Sequence, residues 1–243
     1  RHEEAVASYQ QLLRLRPNDV GALNNLGNAL RNLQRPAEAL ATFDRALAID
    51  PADAEIHSNR GTLLQDLDRP IDALASFDLA LQLRPDFAEG LYNRGNTLRA
   101  LNRPQDALAD YDRVLAIEPN HVAALNNRGN VLHDLQRLPE ALAAYDRVLE
   151  LQPGEAHTHA NAAMCRLLMG VVRRGWEEYE WCAGAHSPTA SGRHLQRPLW
   201  LGKEPLAGKR ILLWAEQGLG DTIQFCRFAT PVAAQGATVV LSV

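Results

Sequence analysis

Asparagine recurs along this sequence at a spacing that favours hydrogen-bonding chemistry. Four glycines stand 34 residues apart, at 27, 61, 95 and 129, and asparagines flank them at fixed offsets. The set consists of Asn25, Asn28, Asn59, Asn93, Asn96, Asn127, Asn130 and Asn161. An amide side chain both donates and accepts, so a row of amides can pair with the backbone of an extended peptide. We therefore predict a peptide-binding groove along these residues.

A second interpretation places the same asparagines inside the structure, where they satisfy turns and neighbouring backbone. Recurrence does not separate the two, because a repeat copies structural and binding residues alike. A groove that clamps a C-terminal carboxylate requires lysines and arginines. The corresponding positions carry Asn24, Ser58, Tyr92 and Asn126 instead, so that mode is not expected.

One carboxylate near the end of the sequence is a candidate for acid–base chemistry. Asp221 follows a glycine-rich turn at 218–220, which itself follows the apolar run 210–216. In the first turn of a helix, this aspartate can act as a cap and would repel a phosphate. At the carboxyl end of a strand it can instead serve as a catalytic base. The local sequence leaves both roles open.

The elements that position the asparagines follow from the 34-residue period. In the unit 20–53, leucines 23, 26 and 30 recur at helical spacing, and a second apolar pattern through Phe43 ends before Pro51. Gly27 and Ala39 have small side chains, which allows the two helices to approach closely. One such pair cannot bury its own apolar faces, so stability comes from stacking. We predict an all-α helical solenoid with Arg–Asp pairs between stacked helices, formed by arginines 60, 94 and 128 and aspartates 78, 112 and 146.

The period, the glycines, the second-helix aromatics and the closing prolines together resemble the tetratricopeptide repeat (TPR) family over residues 1–155. The resemblance implies a right-handed superhelix that binds an extended protein segment on the concave surface of its first helices. The asparagine row is similar to the asparagine ladder of the O-linked N-acetylglucosamine transferase solenoid. We divide this part into the second helix of an incomplete repeat (1–17), four complete repeats (18–155) and a degenerate capping repeat (156–186). The sequence thus begins within a repeat, and we expect it to be a fragment.

The composition changes after the repeats. Residues 187–208 are rich in proline and glycine and indicate a connector, whereas 209–243 contain two short apolar runs separated by a segment with helical spacing. We predict the first β–α–β unit of a truncated, Rossmann-like α/β domain. So short a piece cannot bury enough surface alone. We expect it to pack on the fifth repeat through Trp176, Trp181 or Trp200, or else to be poorly ordered.

Within residues 176–243 the motifs GWEEYEW, PLWLG and EQGLGDTIQF resemble bacterial proteins in which TPR repeats precede a glycosyltransferase family 9 domain. The resemblance implies a GT-B fold, a nucleotide-sugar donor for the full-length protein, and Asp221 as the base for the acceptor hydroxyl. The donor site and any cofactor are not expected in residues 1–243. The alternatives are a noncatalytic TPR scaffold for protein complexes, or an enzyme that glycosylates lipid or polysaccharide and whose repeats only oligomerise it.

The net charge, the length of the apolar runs and the cysteine content limit which partners and which compartment are expected. The net charge of −4 and the lack of clustered lysine and arginine argue against nucleic acid, and no apolar run approaches the ~20 residues that span a bilayer. Three scattered cysteines fit a reducing compartment, and with the nucleotide-sugar expectation they favour the cytoplasm. His157 and His159 point to different faces of one helix, so no metal site with Cys165 is expected.

Overall fold

The computed structural model describes residues 2–185, 205–214 and 229–242. Eleven helices follow one another within residues 2–185. They are α1 (His2–Leu15), α2 (Val20–Asn32), α3 (Pro36–Ile49), α4 (Ala54–Asp66), α5 (Pro70–Leu83), α6 (Ala88–Ala100), α7 (Pro104–Ile117), α8 (Val122–Asp134), α9 (Leu138–Leu151), α10 (Ala156–Leu168) and α11 (Val172–Ala185). We call α2, α4, α6, α8 and α10 the first helices and the others the second helices. The predicted helical repeat arrangement is confirmed.

The ends of these helices follow local sequence signals. A proline occupies an N-terminal position of α3, α5, α7 and α9, where its missing N–H costs no helical hydrogen bond. Asp19 and Asp53 cap α2 and α4, since the carboxylate of each accepts a hydrogen bond from a backbone N–H in the first turn. His121 does the same for α8, with its Nδ1 3.1 Å from the Ala124 nitrogen.

The turn between the two helices of each repeat contains one residue in the left-handed region. These residues are Gln34, Asp68, Asn102 and Gln136, with φ between 55° and 58°, and Gly170 with φ of 78°. In the first of these turns, the nitrogens of Gln34 and Arg35 donate to the carbonyls of Arg31 and Leu30. This pattern is a Schellman motif, which satisfies the last carbonyls of the helix and reverses the chain sharply.

Each repeat is centred on an aromatic ring packed against a glycine. Phe43, Phe77, Tyr111 and Tyr145 are fully buried, and their rings lie over Gly27, Gly61, Gly95 and Gly129. A Cβ placed on Gly129 would lie 2.5 Å from Cε1 of Tyr145, so no side chain fits without movement. The glycine therefore sets the distance between the first and second helices, as the sequence predicted.

The fifth repeat departs from this arrangement. Ala163 replaces the glycine and is fully buried, whereas a Cβ at each of the four glycines would lie within 3 Å of the aromatic ring. Tyr179 occupies the sequence position of those rings but is only half-buried and contacts Trp176 edge-on, with ring centroids 5.7 Å apart. Trp176 itself is 48% exposed. Docking of a following unit through Trp176 stays a prediction; Trp200 and the side chain of Trp181 lie outside the described part of the chain.

Ion pairs connect each first helix from α4 onward to the preceding second helix. Arg94 binds Asp78 and Arg128 binds Asp112, at 2.8 and 2.6 Å, as predicted. The other two predicted residues have different partners: Arg60 binds Asp44 at 2.7 Å, and Asp146 is bound by Arg166 at 2.6 Å. Asp146 lacks the predicted type of partner because Ala162 stands where α4, α6 and α8 carry arginine.

Two short strands occur in the C-terminal part that the structure describes. Strand β1 (Arg210–Trp214) pairs in parallel with β2 (Thr238–Ser242), with Leu212 opposite Val240. A short helix, α12 (Ala229–Ala234), lies between them in sequence. Two strands do not define a Rossmann-like domain, so that part of the fold stays a prediction. Residues 187–204 of the connector and Asp221 lie outside the described residues.

Candidate peptide-binding groove

The predicted groove asparagines all lie on first helices. Asn25 is exposed, and the other seven are half-buried. From α4 onward, the asparagine two positions before the glycine, or the residue that replaces the glycine, bonds back to the preceding first helix. The donors are Asn59, Asn93, Asn127 and Asn161, which bond to Asn24 (2.9 Å), Thr62 (3.5 Å), Asn96 (2.8 Å) and Asn130 (3.2 Å) respectively. The asparagines thus form contacts between repeats as well as a surface row.

The last two of these contacts include a buried tyrosine. The Tyr111 hydroxyl donates to Oδ1 of Asn96 at 2.7 Å, and the Tyr145 hydroxyl donates to Oδ1 of Asn130 at 2.8 Å. Burial raises the pKa of both tyrosines, so each hydroxyl keeps its proton and remains a donor. We call Asn96–Asn127 and Asn130–Asn161, each with its tyrosine, the junction pairs.

The hydrogen bonds within a junction pair determine what it presents to a ligand. In the pair Asn96–Asn127, the carbonyl of Asn96 and one N–H of Asn127 are occupied by each other. The amide NH₂ of Asn96 and the carbonyl of Asn127 remain available, because an amide has two donor hydrogens and a separate acceptor. Each junction pair therefore offers one donor and one acceptor, which is the complement of one peptide unit in an extended chain.

The N-terminal part of the row is organised differently. Asn24 is buried, accepts from Asn59 and donates to Glu55 at 3.2 Å. At the next junction, the Gln65 side chain donates to the Thr97 hydroxyl at 2.6 Å and to the backbone carbonyl of Asn93 at 3.3 Å. Phenylalanines 43 and 77 provide no hydroxyl there. The amides therefore bond within the stack, as the second sequence interpretation expects, and the ligand-facing role of the asparagines stays a prediction.

A cavity of about 390 Å³ opens at the C-terminal end of the row. Its lining residues come from α6, α8, α9, α10 and α11 and are Arg99, Asn130, His133, Asp134, Tyr145, His157, Ala160, Asn161, Met164 and Tyr179. Of these, only Asn130 and Asn161 were predicted as site residues. Arg99, His133 and Tyr179 were missed; the available signal was Ala163, which marks the repeat where the glycine is absent.

The histidines of α10 do not converge with the cysteine. His159 lies 3.3 Å from Glu178 and 3.0 Å from the Pro153 carbonyl, whereas His157 lines the cavity. Cys165 is fully buried, and burial raises the pKa of its thiol. Within residues 2–185, 205–214 and 229–242, no three histidine, cysteine or acidic side chains come together in a way that could hold a metal ion. The described part also contains no helix with the length and apolar character needed to cross a bilayer.

Comparison with known families identifies the class of protein that this geometry represents. The tetratricopeptide repeat family matches residues 1–54, 58–120 and 92–156. These matches span more than half of the sequence, so the chain belongs to the tetratricopeptide repeat family. No curated protein matches the chain significantly.

Several solved structures share the fold. YrrB, described as a TPR protein with an unusual peptide-binding site, aligns with a TM-score of 0.65 and 23% identity, over 73% of this chain and 93% of its own. PilW, described as a widely conserved type IV pilus biogenesis factor, aligns with a TM-score of 0.65 and 23% identity, over 73% of this chain and 82% of its own. MamA from Desulfovibrio magneticus RS-1 aligns with a TM-score of 0.63 and 21% identity, over 68% of this chain and 93% of its own. At these identities the similarity concerns the fold.

Proposed function

We propose that this chain binds an extended peptide or protein segment along the row of asparagines on its first helices. The observation that carries the proposal is the pair of junctions at Asn96–Asn127 and Asn130–Asn161, where one donor and one acceptor remain available. Backbone recognition of this kind reads little sequence, which suits a module that receives several partners. YrrB, which has the same fold, is itself described as having a peptide-binding site.

The spacing of the junctions fits such a ligand. Packed helices lie about 8–10 Å apart, and an extended chain advances about 3.3 Å per residue. Successive junctions therefore match about every third residue of an extended segment. The residues between these contacts are free to carry side chains into other features of the groove.

Replacing Asn93 and Asn127 by alanine is expected to lower peptide binding about 30-fold. Asn127 offers its side-chain carbonyl at the first junction pair, and Asn93 stands at the same position one repeat earlier. Each replacement therefore removes one hydrogen bond to the ligand, worth about 1 kcal/mol. The measurement is the amount of peptide retained by the immobilised protein from a library of nine-residue peptides. The library is blocked at both termini, randomised without cysteine, and quantified by mass spectrometry.

The control for this double variant is Asn120→Ala. Asn120 is exposed in the loop before α8 and bonds to Arg147 on the second-helix side, so its loss should leave retention unchanged. Asn120→Ala should keep the free energy of unfolding within about 1 kcal/mol of the parent. The double variant also loses hydrogen bonds to Thr62, Asn96 and Tyr92, so its unfolding free energy should fall by about 1–3 kcal/mol. Unchanged retention with a clear loss of stability would assign the asparagines to the stack alone.

We further propose that the full-length protein is a glycosyltransferase to which these repeats present a protein acceptor. The support is the sequence resemblance of residues 176–243, together with the parallel pairing of β1 and β2 on either side of the segment that contains Asp221. In this proposal, Asp221 removes the proton from the attacking hydroxyl and the donor is a nucleotide sugar. Cys165 is a free thiol, which supports a proposed cytoplasmic location. A noncatalytic scaffold is the alternative function.

Calorimetry with UDP-, GDP- and ADP-sugars on the full-length protein tests the enzymatic proposal. We expect donor-specific heat that residues 1–243 alone do not give. Asp221→Asn should keep this heat and lower sugar transfer by about 100-fold, because a general base typically contributes 10²–10⁴-fold. The absence of heat with every donor would favour the scaffold, and transfer that survives Asp221→Asn would remove the aspartate as the base.

A further inference from the structure

The cavity at the C-terminal end of the groove is rich in hydrogen-bond donors. It adjoins the second junction pair, because Asn130 and Asn161 both contribute to its wall. The same wall contains the guanidinium of Arg99 and the imidazoles of His133 and His157. A peptide that followed the junction pairs would therefore bring one of its side chains to this cavity.

Arg99 has no acidic partner among the residues that the structure describes. The contrast is with Arg31, at the same repeat position in α2, whose Nε lies 2.8 Å from Oδ2 of Asp66 on the next first helix. The residue equivalent to Asp66 is Asp134, yet Asp134 contacts the neighbouring His133 at 3.6 Å and does not pair with Arg99. A charged donor therefore faces the cavity without a counter-ion.

His133 adds a second unsatisfied donor or acceptor. Its Nε2 is shielded from solvent and has no hydrogen-bond partner in the described structure, although the ring as a whole is partly exposed. Buried polar atoms in native proteins nearly always have a partner, so an orphaned one requires an explanation. Because this nitrogen is shielded, a polar group of a ligand would supply the missing hydrogen bond only when the His133 ring turns toward the cavity that it lines.

The negative charges nearby do not neutralise this site. Asp134 is the one carboxylate among the described lining residues, and its side chain is 71% exposed, so water screens it, as it also screens the exposed Arg99. Glu178, on α11, is bound by Arg166 and lies against His159. The described wall thus combines one guanidinium, two imidazoles and amide donors with tyrosines and the apolar side chain of Met164.

We propose that this cavity binds an acidic side chain, glutamate or aspartate, of the peptide held in the groove. Arg99 supplies the charge, and His133 and the free NH₂ of Asn130 supply hydrogen bonds to the carboxylate. The inference rests on the proposed peptide-binding function and adds to it a preferred residue. It gives this end of the groove a sequence preference that the backbone contacts alone do not provide.

Two peptide libraries test the preference. Both contain nine residues with blocked termini and a central fixed residue, glutamate in one and glutamine in the other, and the randomised positions exclude cysteine, aspartate and glutamate. We expect the protein to retain the glutamate library about fivefold more than the glutamine library, because hydrogen bonds to charged groups are the stronger ones. The ratio should fall to about one in Arg99→Gln, and should decrease in His133→Gln.

The chain itself provides matched controls. Gln65 stands at the position of Arg99 in the preceding repeat, so glutamine is compatible with the fold at this place. Arg31→Gln removes an arginine at the same repeat position but outside the cavity, and should keep the fivefold ratio. Equal retention of the two libraries by the parent protein overturns the proposal while leaving peptide binding intact. Failure to retain either library overturns the proposed function and this inference together.

Discussion

Replacing Arg94 by leucine is expected to destabilise the chain by about 3 kcal/mol. Arg94 holds Asp110 with two hydrogen bonds of 2.7 Å, and the Asp110 side chain is only 4% exposed. Removing the guanidinium leaves a carboxylate buried without a partner, which typically costs 3–5 kcal/mol. Because the Arg94 side chain is itself 22% exposed, we expect a cost at the lower end of this range. Urea unfolding followed by circular dichroism measures the effect.

The first complete repeat supplies the rescue for this variant. Leu26 and Thr42 stand there at the positions of Arg94 and Asp110, so the double variant Arg94→Leu with Asp110→Thr should recover most of the lost stability. Arg128→Leu is the control. Its partner Asp112 is 50% exposed and can return to water, so the loss should stay below about 1 kcal/mol. A double variant as unstable as Arg94→Leu would show that the carboxylate is not the source of the cost.

Gly129→Ala should destabilise the chain by about 1–3 kcal/mol, although the same change in an ordinary helix interior stabilises by up to about 1 kcal/mol. The new methyl would lie 2.5 Å from Cε1 and 2.9 Å from Cδ1 of Tyr145. That ring is buried on all sides and cannot move without displacing its neighbours. Helix propensity alone predicts that the variant is more stable, and the clash predicts that it is less stable. The direction of the change in thermal melting temperature therefore distinguishes the two effects.

Gly154→Ala is the matched control for this second prediction. A Cβ at Gly154 meets no atom within 4 Å. The melting temperature of this variant should therefore change little, which corresponds to less than about 0.5 kcal/mol in the free energy of unfolding. A further variant, Tyr145→Leu, tests the cause. In a double-mutant cycle the cost of Gly129→Ala should shrink when the ring is absent. A stabilising Gly129→Ala would contradict the close-packing role of the glycine.

The sequence predicted the helix pairs well because their determinants lie close together in the chain. Gly27 and Phe43 are 16 residues apart and occur in every complete repeat as glycine and an aromatic residue, so period and composition were sufficient. The junction pairs could not be predicted in this way. Asn96 and Asn127 are 31 residues apart, and their bond depends on how one repeat rotates onto the next. Repetition shows that such residues recur, but it does not show which of them are in contact.

Burial explains the other misses. The sequence indicated aspartates after the second-helix aromatics as arginine partners, yet the most deeply buried carboxylate in the described part of the chain is Asp110, one residue before Tyr111. At that position the other complete repeats carry threonine, serine and alanine, so no periodic signal marked it. The cavity likewise has no periodic signal, because it is lined by residues such as Arg99 and His133 that do not recur in every repeat.

The location of the amide pairs at the junctions couples recognition to folding. A site that spans two neighbouring repeats exists only while both are folded and stacked, so a solenoid of n repeats has at most n−1 such sites. A bound segment that crosses several junctions lowers the free energy of each interface that it bridges. In a linear array with nearest-neighbour energetics, stronger interfaces mean that neighbouring repeats unfold together. The bound ligand would then make several repeats unfold together. The number of repeats in one cooperative unfolding unit would show how many repeats the ligand spans.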